Sequence, residues 1–184
     1  MTLKSSRSSE QMKEVMMDPN VTSGPDPVYE VFNELGNPMW ENQTVIYPRK
    51  LGQEFPKTYG HYHGTAINET YTVISGTGVM VLQNRDLTKI LFVSAQPGDQ
   101  IIITPKWGHS WSNIGSEPLV TRDDWRSGHQ DSDYEFQKAH HGMAYYLIEE
   151  NGEIKAVPNP NYQNLPAPIW LTAAEFSNQK AVNL

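Results

Sequence analysis

The sequence predicts an all-β protein, built as a sandwich or closed barrel of short strands. Many short runs of β-branched and aromatic residues follow one another along the 184-residue chain, which is typical of strands. The chain also contains 13 glycines and 13 prolines, and few segments show the 3.6-residue period of an amphipathic helix. Closing such strands into a barrel hides their edges and leaves a central cavity.

The first 26 residues are predicted to form a polar tail or a short helix. The segment is rich in serine and ends in a turn-forming run at residues 21–27. A short helix over residues 9–17 would place Met12, Val15 and Met16 on a narrow apolar stripe. We expect the barrel domain to span residues 27–160.

Strands are predicted throughout that domain, each as a short apolar or alternating run between turn residues. Pro48 ends the second strand, residues 75–78 form a loop that favours positive φ, and Asn151-Gly152 is the strongest hairpin signal. The predicted strands cover residues 28–32, 43–47, 70–74, 79–83, 89–93, 100–104, 110–114, 119–122, 145–149 and 153–157.

Residues 161–184 are expected to form a C-terminal extension. A helix is predicted over residues 173–179, because Thr172 can serve as its N-cap and Glu175 follows three residues later. Together these two residues have the spacing of a capping box.

Composition excludes several classes of function. The chain has 14 basic and 21 acidic residues, a net charge of −7, so we expect no nucleic-acid partner, which would need a basic face. It has no cysteine, which excludes disulfides, thiolate nucleophiles and cysteine-based metal sites. No apolar run is long enough for a membrane helix or a signal peptide, so we expect no membrane partner and a cytoplasmic location.

Three histidines and one glutamate form a candidate metal site. His61 and His63 are two residues apart, so in an extended chain both imidazoles point to the same side. Glu69 and His109 each lie at the start of a predicted strand. Such a set suits Fe(II), Mn(II), Ni(II), Zn(II) or Cu(II) and leaves coordination positions open for substrate or water. The alternative interpretation is an exposed pair of strand histidines and a surface carboxylate.

The other three histidines are weaker candidates for that site. His129 lies in a loop and is expected to be solvated. His140 and His141 are expected to form a solvated helical turn, from which one imidazole could reach a pocket.

Two blocks of residues resemble the sequence motifs of the cupin superfamily. In the first block, five residues separate the second histidine from the glutamate. This resemblance implies a double-stranded β-helix, or jelly-roll barrel, with short peripheral helices. The first block comprises His61, His63, Glu69 and Gly76, and the second comprises Gly98, His109 and Asn113.

Residues 26–160 more closely resemble the cupin-type glucose-6-phosphate isomerases, known best from archaea. The resemblance implies one divalent metal ion, Fe(II) before Mn, Ni or Zn, and a homodimer. It implies that the metal ligands are His61, His63, Glu69 and His109, that Thr44, Thr58 and Gly60 hold a sugar phosphate, and that Tyr29, Tyr71 and Tyr134 line the substrate. The similar stretches are residues 26–32, 44–48, 58–63, 69–71, 76–78, 81–83, 98–113, 133–134 and 148–152.

The function implied is an aldose–ketose isomerase of glycolysis and gluconeogenesis, which interconverts glucose 6-phosphate and fructose 6-phosphate. We assign Glu69 as the base of an enediolate route and Tyr134 as the orienting group or proton relay, with a direct hydride shift as the rival. The nearby cations by sequence are Arg49, Lys50, Lys57 and Arg122. The alternative functions are an Fe(II) oxygenase or dioxygenase and a non-catalytic sugar-binding cupin.

Overall fold

The computed structural model describes residues 1–33, 36–37, 39–64, 66–126 and 129–180. Strands dominate this part of the chain, and the helices are short and peripheral. The strands are β1 (Thr2–Arg7), β2 (Tyr29–Asn33), β3 (Asn42–Ile46), β4 (Glu69–Ser75), β5 (Gly78–Asn84), β6 (Ile90–Ala95), β7 (Gln100–Ile103), β8 (Trp107–Asn113), β9 (Leu119–Asp123), β10 (Tyr145–Glu150), β11 (Glu153–Pro158) and β12 (Ile169–Thr172); the α-helices are α1 (Ser9–Met12), α2 (Asp131–Ala139) and α3 (Ala173–Lys180).

The strand order is that of a jelly roll. One sheet runs β1-β2-β3-β9-β4-β7 and a second runs β12-β6-β5-β8. Residues 57–61 lie beside β8, with bridges from Lys57 to Ser112 and from His61 to His109. The barrel is therefore β3-β9-β4-β7 packed against the 57–61 segment, β8, β5 and β6, and the chain passes repeatedly between the two sheets. The predicted all-β jelly-roll barrel is confirmed.

The second sheet is buried on both faces. Met80 and Leu82 of β5 point into the barrel core, whereas Val79 and Val81 belong to a second apolar cluster. Leu147 of the β10–β11 hairpin contributes to that second cluster. Because alternate residues face alternate sides, a strand covered on both sides must be apolar throughout, as β5 nearly is.

Segments outside residues 27–160 also join the sheets. β1 pairs antiparallel with β2, and β12 pairs parallel with β6. β1 is not predicted from the sequence, because its polar side chains show no apolar alternation. Backbone pairing holds it in place. The division of the chain at residues 27 and 160 stays a prediction.

The helices differ in how well the sequence marks them. α1 and a following 3-10 turn, Lys13–Val15, lie inside the predicted 9–17 helix, and Met12 and Val15 are fully buried. Before α3, the predicted capping box is confirmed: Glu175 N–H donates to Thr172 Oγ1 at 3.2 Å, and Glu175 Oε2 accepts from Thr172 N–H at 2.7 Å. α2 was not predicted, and none of the described helices is long and apolar enough to cross a membrane.

Gly76 is expected to be a costly position for any side chain. Its φ is +78°, and an added Cβ would lie 2.6 Å from the Pro118 carbonyl oxygen. Gly152 has a similar φ of +81° but nothing within 4 Å. We expect Gly152→Ala to lower the free energy of unfolding by about 1 kcal/mol, and Gly76→Ala by about 3 kcal/mol, because overpacking adds to the backbone penalty. Urea denaturation measures both, and equal losses would contradict the steric argument.

Candidate metal centre and its cavity

The backbone brings the predicted metal ligands together. His61 and His109 exchange backbone hydrogen bonds, at 3.1 Å from His61 N–H and 2.9 Å from His109 N–H. Glu69 opens β4, and its Oε2 lies 2.7 Å from His63 Nε2 and 3.4 Å from His109 Nε2. Each of the four residues, His61, His63, Glu69 and His109, offers one ligand atom, and these atoms lie within 4.8 Å of one another. The exposed-pair interpretation of His61 and His63 does not describe this arrangement.

The four residues fit a divalent metal ion. His61 Nε2 and Glu69 Oε1 are buried without a hydrogen-bond partner among the described residues, an expensive state for polar atoms. Burial lowers the pKa of each of the three imidazoles, that of His63 to about 4, so their lone pairs are free. Burial raises the pKa of Glu69 to about 8. A cation would offset the cost of the buried carboxylate and use the free lone pairs.

The three predicted substrate tyrosines line one cavity beside the cluster. Tyr71 OH lies 3.3 Å from His109 Nε2. Tyr134, from α2, places its ring centroid 5.4 Å from that of His61. Tyr29 is buried on β2. Burial raises the pKa of all three phenols, so each keeps its proton at neutral pH and can donate it in a hydrogen bond.

The predicted phosphate-binding residues line the same cavity. Thr44 is at the centre of β3. Thr58 Oγ1 accepts a hydrogen bond from Trp111 N–H at 3.0 Å and lies 3.3 Å from Ser110 Oγ. Gly60 has φ +85°, and Met143, Ser110 and His109 crowd the place of a Cβ, so only glycine fits. The structure thus brings together all the predicted site residues, whose individual roles stay predictions.

His129 is an exposed loop residue, as predicted, but its ring also lines this cavity. Its ring centroid lies 4.2 Å from that of His61 and 5.3 Å from that of His63, stacked on the latter. The side chain itself is only 26% exposed, and its Nδ1 lies 3.8 Å from Asp133 Oδ2. Nothing in the local sequence indicates this position of the His129 ring, because it depends on contacts with residues that are distant in the chain.

A second buried carboxylate, Asp123, lines the cavity and was not predicted from the sequence. It accepts hydrogen bonds from Asn42 Nδ2 at 2.6 Å and from Trp125 N–H at 3.0 Å. Burial raises its pKa to about 8. A signal was available, because the two-residue period of β9 places Asp123 on the same side as Leu119 and Thr121, which are both buried.

The cations named from the sequence lie elsewhere. Lys57 is buried in an ion pair with Glu54, and Lys50 pairs with Glu149 at 3.1 Å. Arg49 lines a separate cavity beside Lys50, and Arg122 donates to Gln43 Oε1 at 3.1 Å. The basic residues that line the cavity of the metal cluster are Lys4 and Arg7 of β1.

Comparison with protein families gives one match that covers most of the chain. Residues 8–164 match the family model described as glucose-6-phosphate isomerase (GPI). The glucose-6-phosphate isomerase of Pyrococcus furiosus is 35% identical over 122 residues, which cover 65% of this chain and 62% of the relative. That of Thermococcus onnurineus is 37% identical over 146 residues, 75% of each chain. The chain thus spans less than two thirds of the length of the Pyrococcus relative.

Solved structures show weaker similarity. The capsular polysaccharide assembling protein CapF from Staphylococcus aureus is similar with a TM-score of 0.46 and 16% identity, over 60% of this chain and 32% of that chain. Similarity at this level carries no argument about activity.

Proposed function

The chain belongs to the glucose-6-phosphate isomerase family, and we propose that it interconverts glucose 6-phosphate and fructose 6-phosphate. The observation that carries the proposal is one cavity in which a cluster able to hold a metal lies beside hydroxyl and phenol donors. An aldose–ketose isomerase needs charge stabilisation at two adjacent sugar oxygens and a proton carrier. It also needs donors for the phosphate, and the cavity has candidates for each task.

We propose that His61, His63, Glu69 and His109 hold one divalent ion, Fe(II) before Mn, Ni or Zn. When bound, the ion supplies Lewis-acid stabilisation of the negative charge that develops on the sugar oxygens. Imidazole and carboxylate ligands suit all four metals, so metal analysis of the purified protein is needed to choose among them.

The proton transfer is assigned to residues of the chain itself. Glu69 takes the proton from C2 of the aldose and returns it to C1. The proton of the O2 hydroxyl moves to O1, so that the C1 carbonyl is reduced and the C2 hydroxyl is oxidised. A phenol that keeps its proton at neutral pH donates to a sugar oxygen and holds it in place. Tyr134 is proposed for that role because it lines the cavity and lies beside His61.

The phosphate is proposed to bind to hydroxyl and backbone donors of the same cavity. Thr44 and Thr58 supply hydroxyls, and Gly60 allows close approach of an anion to the backbone. Tyr29 and Tyr71 are proposed to line the sugar. A homodimer, a cytoplasmic location and a place in glycolysis and gluconeogenesis complete the proposal, and sedimentation analysis tests the first.

A coupled assay after chelation tests this function. We expect the chelated protein to lose activity, to recover it on addition of Fe(II) under anaerobic conditions, and to melt at a lower temperature without metal, because the ion binds only the folded ligand set. Full turnover without oxygen separates an isomerase from an oxygenase. An anaerobic, metal-loaded protein that converts neither sugar phosphate would refute the proposal.

A further inference from the structure

Arg7 places a positive charge at the active-site cavity from a strand outside the family match. The match covers residues 8–164, whereas Arg7 ends β1 and lines the cavity of the metal cluster. We propose that the Arg7 guanidinium binds the phosphate group of the sugar substrate. This assignment rests on the proposed isomerase function and adds a specificity-determining residue to it.

The register of the sheet places Arg7 at the end of the cavity remote from the metal cluster. Arg7 pairs with Tyr29, which pairs with Ile46 on β3. At the other end of β3, Asn42 pairs with Asp123, and Asp123 pairs with Tyr71. Ile46 and Asn42 are four positions apart on β3, so the two sets of paired residues lie about 13 Å apart at 3.3 Å per residue. Glu69 lies two residues beyond Tyr71 on β4 and is therefore still further from Arg7.

This separation matches the shape of the substrate. The reacting carbons of a hexose 6-phosphate, C1 and C2, are at one end of the molecule and the phosphate is at the other. With C1 and C2 beside Glu69, the phosphate must lie toward the opposite end of the cavity. Thr44 lies on β3 between these two ends, and Thr58 lines the same cavity. Both are placed to add hydroxyl groups to the phosphate site.

Arg7 is a cation of this cavity that has N–H donors left to offer beside its side-chain hydrogen bond with Tyr29. Lys4 Nζ already donates to Asn42 Oδ1 at 2.8 Å. The hydrogen bond from Arg7 to Ser6 O is long, at 3.5 Å, and no carboxylate lies within ion-pair distance of Arg7 in the described residues. Among the acidic groups near it, Glu14 is engaged by Tyr59 OH at 2.8 Å and by Lys138 at 3.3 Å. A half-buried guanidinium with unused N–H groups favours an anionic ligand.

Arg7 is shared by two cavities. Arg7 also lines a second, outer cavity. Lys138 and several acidic side chains line that outer cavity. The acidic groups would repel a phosphate, and Arg7 is the cation that the two cavities share among the described residues. The guanidinium can then bind two phosphate oxygens in parallel. The acidic residues of the outer cavity are Glu10, Glu14, Asp131 and Glu135.

Kinetics and phosphate binding of Arg7→Met test the proposal. We expect KM for glucose 6-phosphate to rise roughly 10- to 100-fold, because charge-assisted hydrogen bonds are lost, while kcat and metal content change little. The inhibition constant for inorganic phosphate should rise by a similar factor. Arg7→Lys should recover part of the loss. Lys89→Met, which removes an exposed charge on the β5–β6 turn, is the matched control and should leave all values unchanged.

The outcomes separate this proposal from the function on which it rests. An Arg7→Met variant with unchanged KM and unchanged phosphate inhibition would overturn it. So would a lower melting temperature with intact phosphate binding, because Arg7 would then only support β1 and β2. If the wild-type protein shows no isomerase activity, the proposed function fails, and calorimetric titration with inorganic phosphate still decides whether Arg7 binds phosphate.

Discussion

Replacing His109 by alanine is expected to remove the bound metal and to reduce isomerase activity at least about 100-fold. His109 is 2% exposed, and its imidazole lies within reach of His61, His63 and Glu69. Metal content by mass spectrometry and the coupled assay measure the two effects, with added metal to test for weak binding.

The control is His141→Asn. His141 is exposed and has φ +54°, a conformation that asparagine tolerates. This variant should keep both metal and activity. Full metal content in His109→Ala would remove His109 from the ligand set, and normal activity without metal would refute the metal-dependent function as a whole.

Replacing Glu69 by glutamine is expected to reduce kcat by about 1,000-fold, because a general base is removed while the shape of the side chain is kept. Metal binding should weaken but survive at high metal concentration, since the three imidazoles remain. Tyr134→Phe should reduce kcat less, because it removes one orienting hydroxyl from the edge of the cavity. Activity at saturating metal and metal content are the measurements.

Turnover in D₂O adds an independent readout of the same step. A base that exchanges with solvent leaves deuterium at C1 or C2 of the product, whereas a direct hydride shift retains hydrogen. Full activity of metal-loaded Glu69→Gln would show that Glu69 is only a ligand. Complete retention of hydrogen together with that result would favour the hydride shift.

The local sequence was sufficient for most of the barrel. Asn151-Gly152 correctly predicted the β10–β11 hairpin, and Thr172 with Glu175 correctly predicted the start of α3. Turn chemistry and capping act over a few residues, so a short window of sequence contains their cause. The pairing of His61 with His109 could not be predicted from a short window of sequence, because it joins positions 48 residues apart. Only the resemblance to a known family indicated it in advance.

The sequence by itself determined the fold class, the strands between residues 28 and 158, and the four residues that could hold a metal. The tertiary structure alone decided that β1 joins the sheet, that His129 stacks on His63, and that Arg7 rather than Lys57 reaches the cavity. An edge strand of polar residues has no apolar period to mark it. The direction of a loop or edge side chain depends on contacts between segments distant in the chain, and these contacts exist only once the barrel has closed.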